Sequence, residues 1–240
     1  NDLRKIFSSR IKYDNMSLWW LTKLIDRDFI NDNTWYYDLN KTINGIENND
    51  LKTSFISLFL NFLKKLTARI FFSFFFKLLI KDTFNSSGKL NCLYVTQSNL
   101  TEIQGNVIDK QYGKFSLKDK ENNIYLIELE ESFRTIFNIR KIRNLLKKIP
   151  LEYLIVNGSI SPHKIIKIYL GIFLHFFYLK NQLKYKNYFK IKGIDCSKIL
   201  KPQLYISFFG SIQDQVVRGE QIFSKIKKFE FKNFITYYEF

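Results

Sequence analysis

The sequence predicts an α/β fold in which helices flank a mostly parallel sheet, preceded by an N-terminal helical segment. After residue 85, short apolar runs alternate with longer helical runs. The apolar runs are nearly continuous, as is typical of strands that helices cover on both faces. With 240 residues, the chain is long enough for one large core, or for one domain and part of another.

The first predicted segment, residues 1–84, is helical. Leu18, Leu21 and Leu24 recur at helical spacing, and Asp14 or Asn15 is a suitable N-cap for that helix. The remaining features are a loop at residues 40–50, a long basic and aromatic helix at 51–81, and a boundary turn at 85–89.

The second predicted segment, residues 85–240, has the pattern of an α/β domain. The expected strands are 90–96, 123–129, 154–159 and 234–240, and the expected helices are 132–148, 162–184 and 211–228. Residues 204–210 fit either a strand or a helix. In parallel sheets, ligands bind beyond the carboxyl ends of strands. The loops at 97–113 and 157–161 are therefore the candidate site segments.

The chain is strongly basic, with a formal net charge of +16. Such a charge favours anionic partners: nucleic acid, acidic lipid or phosphorylated substrates. Lys, Asn, Ile, Phe and Tyr, the residues of A/T-rich codons, dominate the composition, so codon usage is a competing explanation. Cys92 and Cys196 lack metal-ligand spacing, and we expect buried thiols and no metal site.

Residues 55–80 are the most apolar stretch, but Lys64, Lys65, Arg69 and Lys77 interrupt it, and no transmembrane helix is predicted. Three interpretations remain open. An interfacial helix would place its phenylalanines in lipid and these four basic side chains at anionic headgroups, on the inner face of the cell membrane. A partly solvated packing helix and a nucleic-acid surface are the alternatives.

Two loop motifs supply candidate substrate-binding residues. Asp109, Tyr112 and Gly113 lie in the first connection after a strand, where a glycine lets an anion approach the backbone. The run Asn157-Gly158-Ser159 follows a predicted strand and offers amide, backbone and hydroxyl donors. Either motif is also compatible with an ordinary turn.

Three further polar residues are of interest. His163 follows a proline near a strand end, and Arg218 has the geometry to pair with a phosphate, although a solvated helix face also suits it. His175 lies among phenylalanines, where we expect a packed, hydrogen-bonded side chain.

Several short segments resemble the bacterial surface carbohydrate biosynthesis proteins. They begin with the run Ser17-Leu-Trp-Trp-Leu-Thr-Lys-Leu-Ile-Asp-Arg27 and continue with Asp109-Lys-Gln-Tyr-Gly113, Ser207-Phe-Phe-Gly210 and Tyr237-Tyr-Glu239. The acidic-basic pair after the tryptophans is Asp26-Arg27 where that family has Glu-Lys, and Tyr112 stands alone before Gly113 where the family has Tyr-Phe. The resemblance implies a glycosyltransferase-like enzyme of two Rossmann-type domains, a GT-B-like architecture.

By this resemblance, the chain is the N-terminal, acceptor-side domain of an enzyme of capsule or lipopolysaccharide assembly. Its acceptor would be a sugar or lipid-linked glycan beside an anionic membrane, with Glu239 as base or sugar-hydroxyl acceptor. The strand-like run at 234–240 leads us to expect that the chain continues. The nucleotide-sugar donor would bind in that later part, and no cofactor is expected in this one. The alternatives are a nucleic-acid-binding protein, which we disfavour, and a membrane-peripheral scaffold without catalysis.

Overall fold

The computed structural model describes residues 7–22, 55–84, 90–103, 105–110, 112–113, 122–149, 151–184, 189–191, 194–195, 197–229 and 231–236. The chain forms two compact units. The first unit is Asn1–Thr67 with His163–Val217, and the second unit is Ala68–Pro162 with Arg218–Phe240. The predicted boundary between residues 84 and 85 falls inside the second unit, because the C-terminal half of the long helix belongs to the core of that unit. The expected turn at 85–89 and loop at 40–50 lie outside the described residues.

The strands and helices of the described residues have the following bounds. The strands are β1 (Lys12–Tyr13), β2 (Met16–Ser17), β3 (Asn91–Thr96), β4 (Leu100–Ile103), β5 (Asn106–Asp109), β6 (Asn123–Glu128), β7 (Tyr153–Ile155), β8 (Lys190–Ile191), β9 (Ile194–Asp195) and β10 (Asn233–Ile235). The α-helices are α1 (Phe55–Leu79), α2 (Phe133–Phe137), α3 (Ile139–Lys147), α4 (Pro162–Lys184), α5 (Ser197–Ile206) and α6 (Ile212–Lys228).

The second unit is built on a four-stranded parallel sheet with the strand order β10-β3-β6-β7. Strand residues alternate between its two faces. Leu93 and Ile127 pack on one face against α1 and α3, whereas Cys92 and Leu126 pack on the other face against α6. Helices therefore cover both faces, which confirms the predicted α/β class and is consistent with a Rossmann-like fold.

Strand β7 lies at one edge of the parallel sheet, and the segment after α1 covers that edge. Thr83 donates its backbone N–H to the carbonyl of Tyr153, and Asp82 accepts the N–H of Ile155 at 2.8 Å. The segment that follows α1 thus satisfies edge groups that would otherwise invite pairing with another chain. This contact also fixes the end of α1 beside β7.

Several predicted elements have different boundaries in the structure. The basic helix expected at 132–148 is two helices, because Asn138 ends α2 by donating its side-chain amide to the carbonyl of Arg134. The loop expected at 97–113 contains the antiparallel hairpin β4–β5. Within the run that contains Trp19 and Trp20, the described helix is a 3₁₀ turn, Leu18–Leu21, and Ser17 caps it in place of the expected Asp14 or Asn15.

The first unit has an aromatic core. Phe62 of α1 stacks on Phe173 of α4 with ring centroids 4.8 Å apart, and Phe176 meets Phe209 at 4.9 Å. Trp19 packs edge-on against Phe7. The Nε2–H of His175 donates a hydrogen bond to the carbonyl of Lys12 at 3.1 Å, as expected for a packed histidine.

Residues 204–210, which fitted either a strand or a helix, are helical and end in a kink. Gly210 has φ 124°, a left-handed value that strongly favours glycine. The buried Gln213 closes the kink by accepting the N–H of Gly210 and donating to the carbonyl of Phe208. Among the helices in the described ranges, none combines the length and apolar character needed to cross a bilayer.

Candidate functional site

A cleft of about 370 Å³ lies in the second unit beside the end of β7. Its size falls within the range of small-ligand pockets. The end of α1, the turn after β7 and the C-terminal part of α6 form its walls. The lining residues are Lys77, Ile80, Lys81, Asp82, Ile155, Asn157, Gly158, Ser159, Ser224, Lys225 and Lys228.

The charge of this lysine cleft is mainly positive. Asp82 pairs with Lys225 at 2.5 Å and is the carboxylate among the lining residues. The remaining lysines of the cleft are Lys77, Lys81 and Lys228, and no carboxylate of the described residues lies within ion-pair distance of them. Three lysines besides Lys225 therefore line the cleft, and the ammonium group of Lys228 also lies 5.3 Å from the ring centroid of Phe229.

Gly158 shapes the turn that follows β7. Its φ is 78°, and a Cβ atom placed there would lie 2.6 Å from the carbonyl oxygen of Ser73 and 3.0 Å from the Cβ of Lys77. Only glycine lets the turn approach α1 this closely in a left-handed conformation. The turn thereby fixes the position of Lys77 on the wall of the cleft.

Asn157, one of the lining residues, is held by hydrogen bonds to the segment after β6. Its amide oxygen accepts the N–H of Leu129 at 2.7 Å, and its amide nitrogen donates to the carbonyl of Leu129 and to Glu131. Glu131 in turn pairs with Arg69 at 2.6 Å. Because this network uses the polar atoms of the Asn157 side chain, it holds the ends of β6 and β7 together.

Ser159 connects the turn to α6. Its hydroxyl donates to the carbonyl of Gln221 at 2.8 Å, and its own carbonyl accepts the hydroxyl of Ser224 at 3.3 Å. The predicted run Asn157-Gly158-Ser159 is thus placed at the cleft, but the two polar side chains bind the protein. The positive charges among the lining residues come from the lysines.

The second predicted motif lies at another position on the same sheet. The N–H groups of Tyr112 and Gly113 donate to the side chain and the backbone carbonyl of Asp109, respectively. The hydroxyl of Tyr112 donates to the carbonyls of Tyr94 and Ile235, on β3 and β10. This turn therefore lies over the neighbouring strands β3 and β10, apart from the residues that line the cleft.

Arg218 belongs to a polar cluster on α6. It pairs with Glu128 at 2.5 Å and donates to the hydroxyl of Tyr94 at 2.6 Å. Tyr94 also donates to Glu128. Burial, and then the charge of Glu128, raise the pKa of Tyr94, so its hydroxyl stays protonated. A phosphate at Arg218 would have to compete with the carboxylate of Glu128.

The other predicted residues are dispersed. Lys65 pairs with Asp214 at 3.5 Å, and the Arg69–Glu131 pair leaves each side chain 14% exposed. Lys64 and His163 are exposed in the first unit, on α1 and α4. Of the four basic residues predicted to face a membrane, Lys77 is the one that lines the cleft. Glu239 lies outside the described residues.

Sequence reasoning missed Lys81, Lys225 and Lys228. Lys225 and Asp82 are 143 positions apart, and no local pattern indicates that they meet. The lysines in the last turn of α6 resemble ordinary partners of a helix C-terminus. Within the described residues, no group of His, Cys, Asp or Glu side chains is arranged to hold a metal ion.

Comparison of the chain with protein-family models, with curated proteins and with solved structures finds no match.

Proposed function

We propose that the second unit binds a phosphorylated sugar ligand in the lysine cleft, as part of a glycosyltransferase-like enzyme of surface polysaccharide assembly. The observation that carries the proposal is the convergence of Lys77, Lys81 and Lys228 on a cleft that contains one carboxylate, itself paired. Phosphate groups are the anions that lysine ammonium groups bind as point charges.

The shape of the site favours a small ligand over nucleic acid. A nucleic-acid surface requires a basic groove along which several nucleotides lie, with aromatic rings for stacking. The lysine cleft is bounded by two helices and a turn, and its lining residues include no aromatic side chain. A phosphate or diphosphate attached to a sugar fits this arrangement.

In this proposal the chain supplies the acceptor side of a GT-B-like enzyme. The phosphate of a lipid-linked sugar would contact the lysines, while the glycan extends towards solvent. The nucleotide-sugar donor would bind outside the described residues, where Glu239 would act as the base or accept a sugar hydroxyl. The support for this part is the motif resemblance together with the α/β sheet.

A transfer assay tests the proposal. The full-length protein is incubated with labelled UDP-, GDP- and CMP-sugars and a membrane extract. We expect transfer or donor hydrolysis with at least one donor, reduced in K81Q/K228Q and retained in K167Q/K180Q, which removes the same charge from exposed positions of α4. Absence of transfer and of hydrolysis with every donor would contradict the enzymatic proposal.

A further inference from the structure

Phenylalanines of two helices form an exposed apolar patch on the second unit, and none of them is among the residues that line the lysine cleft. On α1, Phe71, Phe74 and Leu78 follow each other at intervals of three and four residues and are all exposed. Phe133 of α2 contacts Phe71 with ring centroids 6.1 Å apart. Phe137, one turn further along α2, is 84% exposed.

We call this group of exposed apolar side chains the Phe71–Phe137 patch. Its members are Phe71, Phe74, Leu78, Phe133 and Phe137. Single exposed apolar side chains are common on soluble domains, whereas contiguous ones mark an interaction surface. Phe133 and Phe137 project from a helix of five residues and are 62% and 84% exposed. In α2, Thr135 is buried and Phe133 touches the core residue Phe72 with ring centroids 5.6 Å apart, so packing within the unit accounts for part of Phe133 but not for the exposed Phe137.

The charge of the helices that carry the patch has a single sign. Neither α1 nor the run from α2 to α3 contains an aspartate or glutamate. Arg134, Arg140 and Lys141 are exposed on α2 and α3. Arg143 instead donates to the carbonyl of Leu79 and joins α3 to the end of α1. A partner must therefore accept aromatic rings and offer negative charge beside them.

We propose that the Phe71–Phe137 patch is a docking surface for an anionic lipid bilayer. Phenylalanine and leucine side chains enter the boundary between headgroups and acyl chains, and flanking basic residues contact anionic headgroups. The basic side chains come from α2 and α3. Of the four basic residues of α1 that the sequence suggested, Lys65 pairs with Asp214, Arg69 pairs with Glu131 and Lys77 lines the cleft.

The proposal does not depend on the lysine cleft or on any enzymatic activity. The two surfaces use different side chains, so the variants that test them are separate. Phe223 on α6 provides a matched control, because it is 58% exposed in the same unit and lies outside the patch.

Vesicle co-sedimentation of the chain tests the proposal. We expect binding to phosphatidylcholine vesicles that contain phosphatidylglycerol, weaker binding to pure phosphatidylcholine, and a decrease with salt. F133S/F137S should lower the partition coefficient by about tenfold or more. R140Q/K141Q should weaken binding to anionic vesicles alone. F223S and the cleft variant K81Q/K228Q should bind as the wild type does.

A spectroscopic readout gives a second criterion. F137W should show a blue-shifted emission with anionic vesicles, relative to the parent chain and its three tryptophans. An unshifted F137W, or F133S/F137S that binds vesicles normally, would overturn the proposal. It would also be overturned if sedimentation velocity showed a wild-type dimer that F133S/F137S dissociates, with no vesicle binding by either protein, because the patch would then serve self-association.

Discussion

Arg69 and Glu131 form an ion pair at 2.6 Å in which each side chain is 14% exposed. The pair joins α1 to the loop after β6, and Glu131 also accepts a hydrogen bond from Asn157 at 3.0 Å. A basic residue on an apolar helix thus has an internal partner. The network of Arg69, Glu131 and Asn157 therefore connects α1 to a residue that lines the lysine cleft.

Removal of Arg69 should destabilise the second unit. R69M leaves Glu131 with an uncompensated charge in a largely buried position, and we expect a loss of about 3 kcal/mol in the free energy of unfolding. R134M, at an exposed position, should change it by less than about 0.5 kcal/mol. The double variant R69M/E131Q should recover part of the loss. Urea unfolding measures all three, and an R69M midpoint equal to that of the wild type would refute the structural role.

Gly158 should not tolerate a side chain. G158A combines a left-handed φ of 78° with a Cβ contact of 2.6 Å to the carbonyl of Ser73, so we expect a loss of about 2 kcal/mol or more. Gly219 is the matched control, since it lies within helix α6 and a Cβ there meets nothing within 4 Å. G219A should be neutral or stabilising by up to about 1 kcal/mol. Equal melting temperatures for the two variants would argue against the close approach of the turn to α1.

His175 should make stability depend on pH. Burial lowers the pKa of His175 in the folded chain, so the unfolded chain binds the proton more readily. The stability associated with neutral His175 is present above the unfolded pKa of about 6.5 and is lost as the pH falls below it.

The measurement is urea unfolding at about pH 7.5 and about pH 5, on either side of the histidine pKa. H175Q should show a smaller loss of stability at the lower pH than the wild type. H163Q retains His175 and should show the wild-type loss, since the chain contains two histidines. If H175Q and the wild type lose the same stability, the packed position of His175 has no effect on its titration.

Strands and helices with a clear apolar pattern were predicted correctly from the sequence. The runs that form β3 and β6 are apolar on both faces, and helix α4 begins and ends where the pattern placed it. The hairpin β4–β5 was missed because its polar residues, such as Thr101 and Glu102, have the composition of a loop. Its register is set by pairing of strands that a local pattern does not show.

The candidate site was only partly predictable. The turn after β7 was recognised from Gly158 and its polar neighbours, because a glycine after an apolar run has a local signature. The lysines were not, since Lys81 and Lys228 are far apart in sequence and meet only when α1 and α6 pack beside the same strand. For the same reason, the partner of Arg69 was not apparent from the sequence.

The most direct test of the lysine cleft is a titration of the chain with uridine diphosphate and with inorganic pyrophosphate by isothermal calorimetry. We expect both to bind, because both present a diphosphate to the ammonium groups of Lys77, Lys81 and Lys228. Loss of two charge-assisted contacts in K81Q/K228Q should weaken the affinity by at least about tenfold, whereas K167Q/K180Q, at exposed positions of α4, should bind as the wild type does. No binding by the wild type, or equal weakening in both variants, would contradict the assignment of the cleft as a phosphate site.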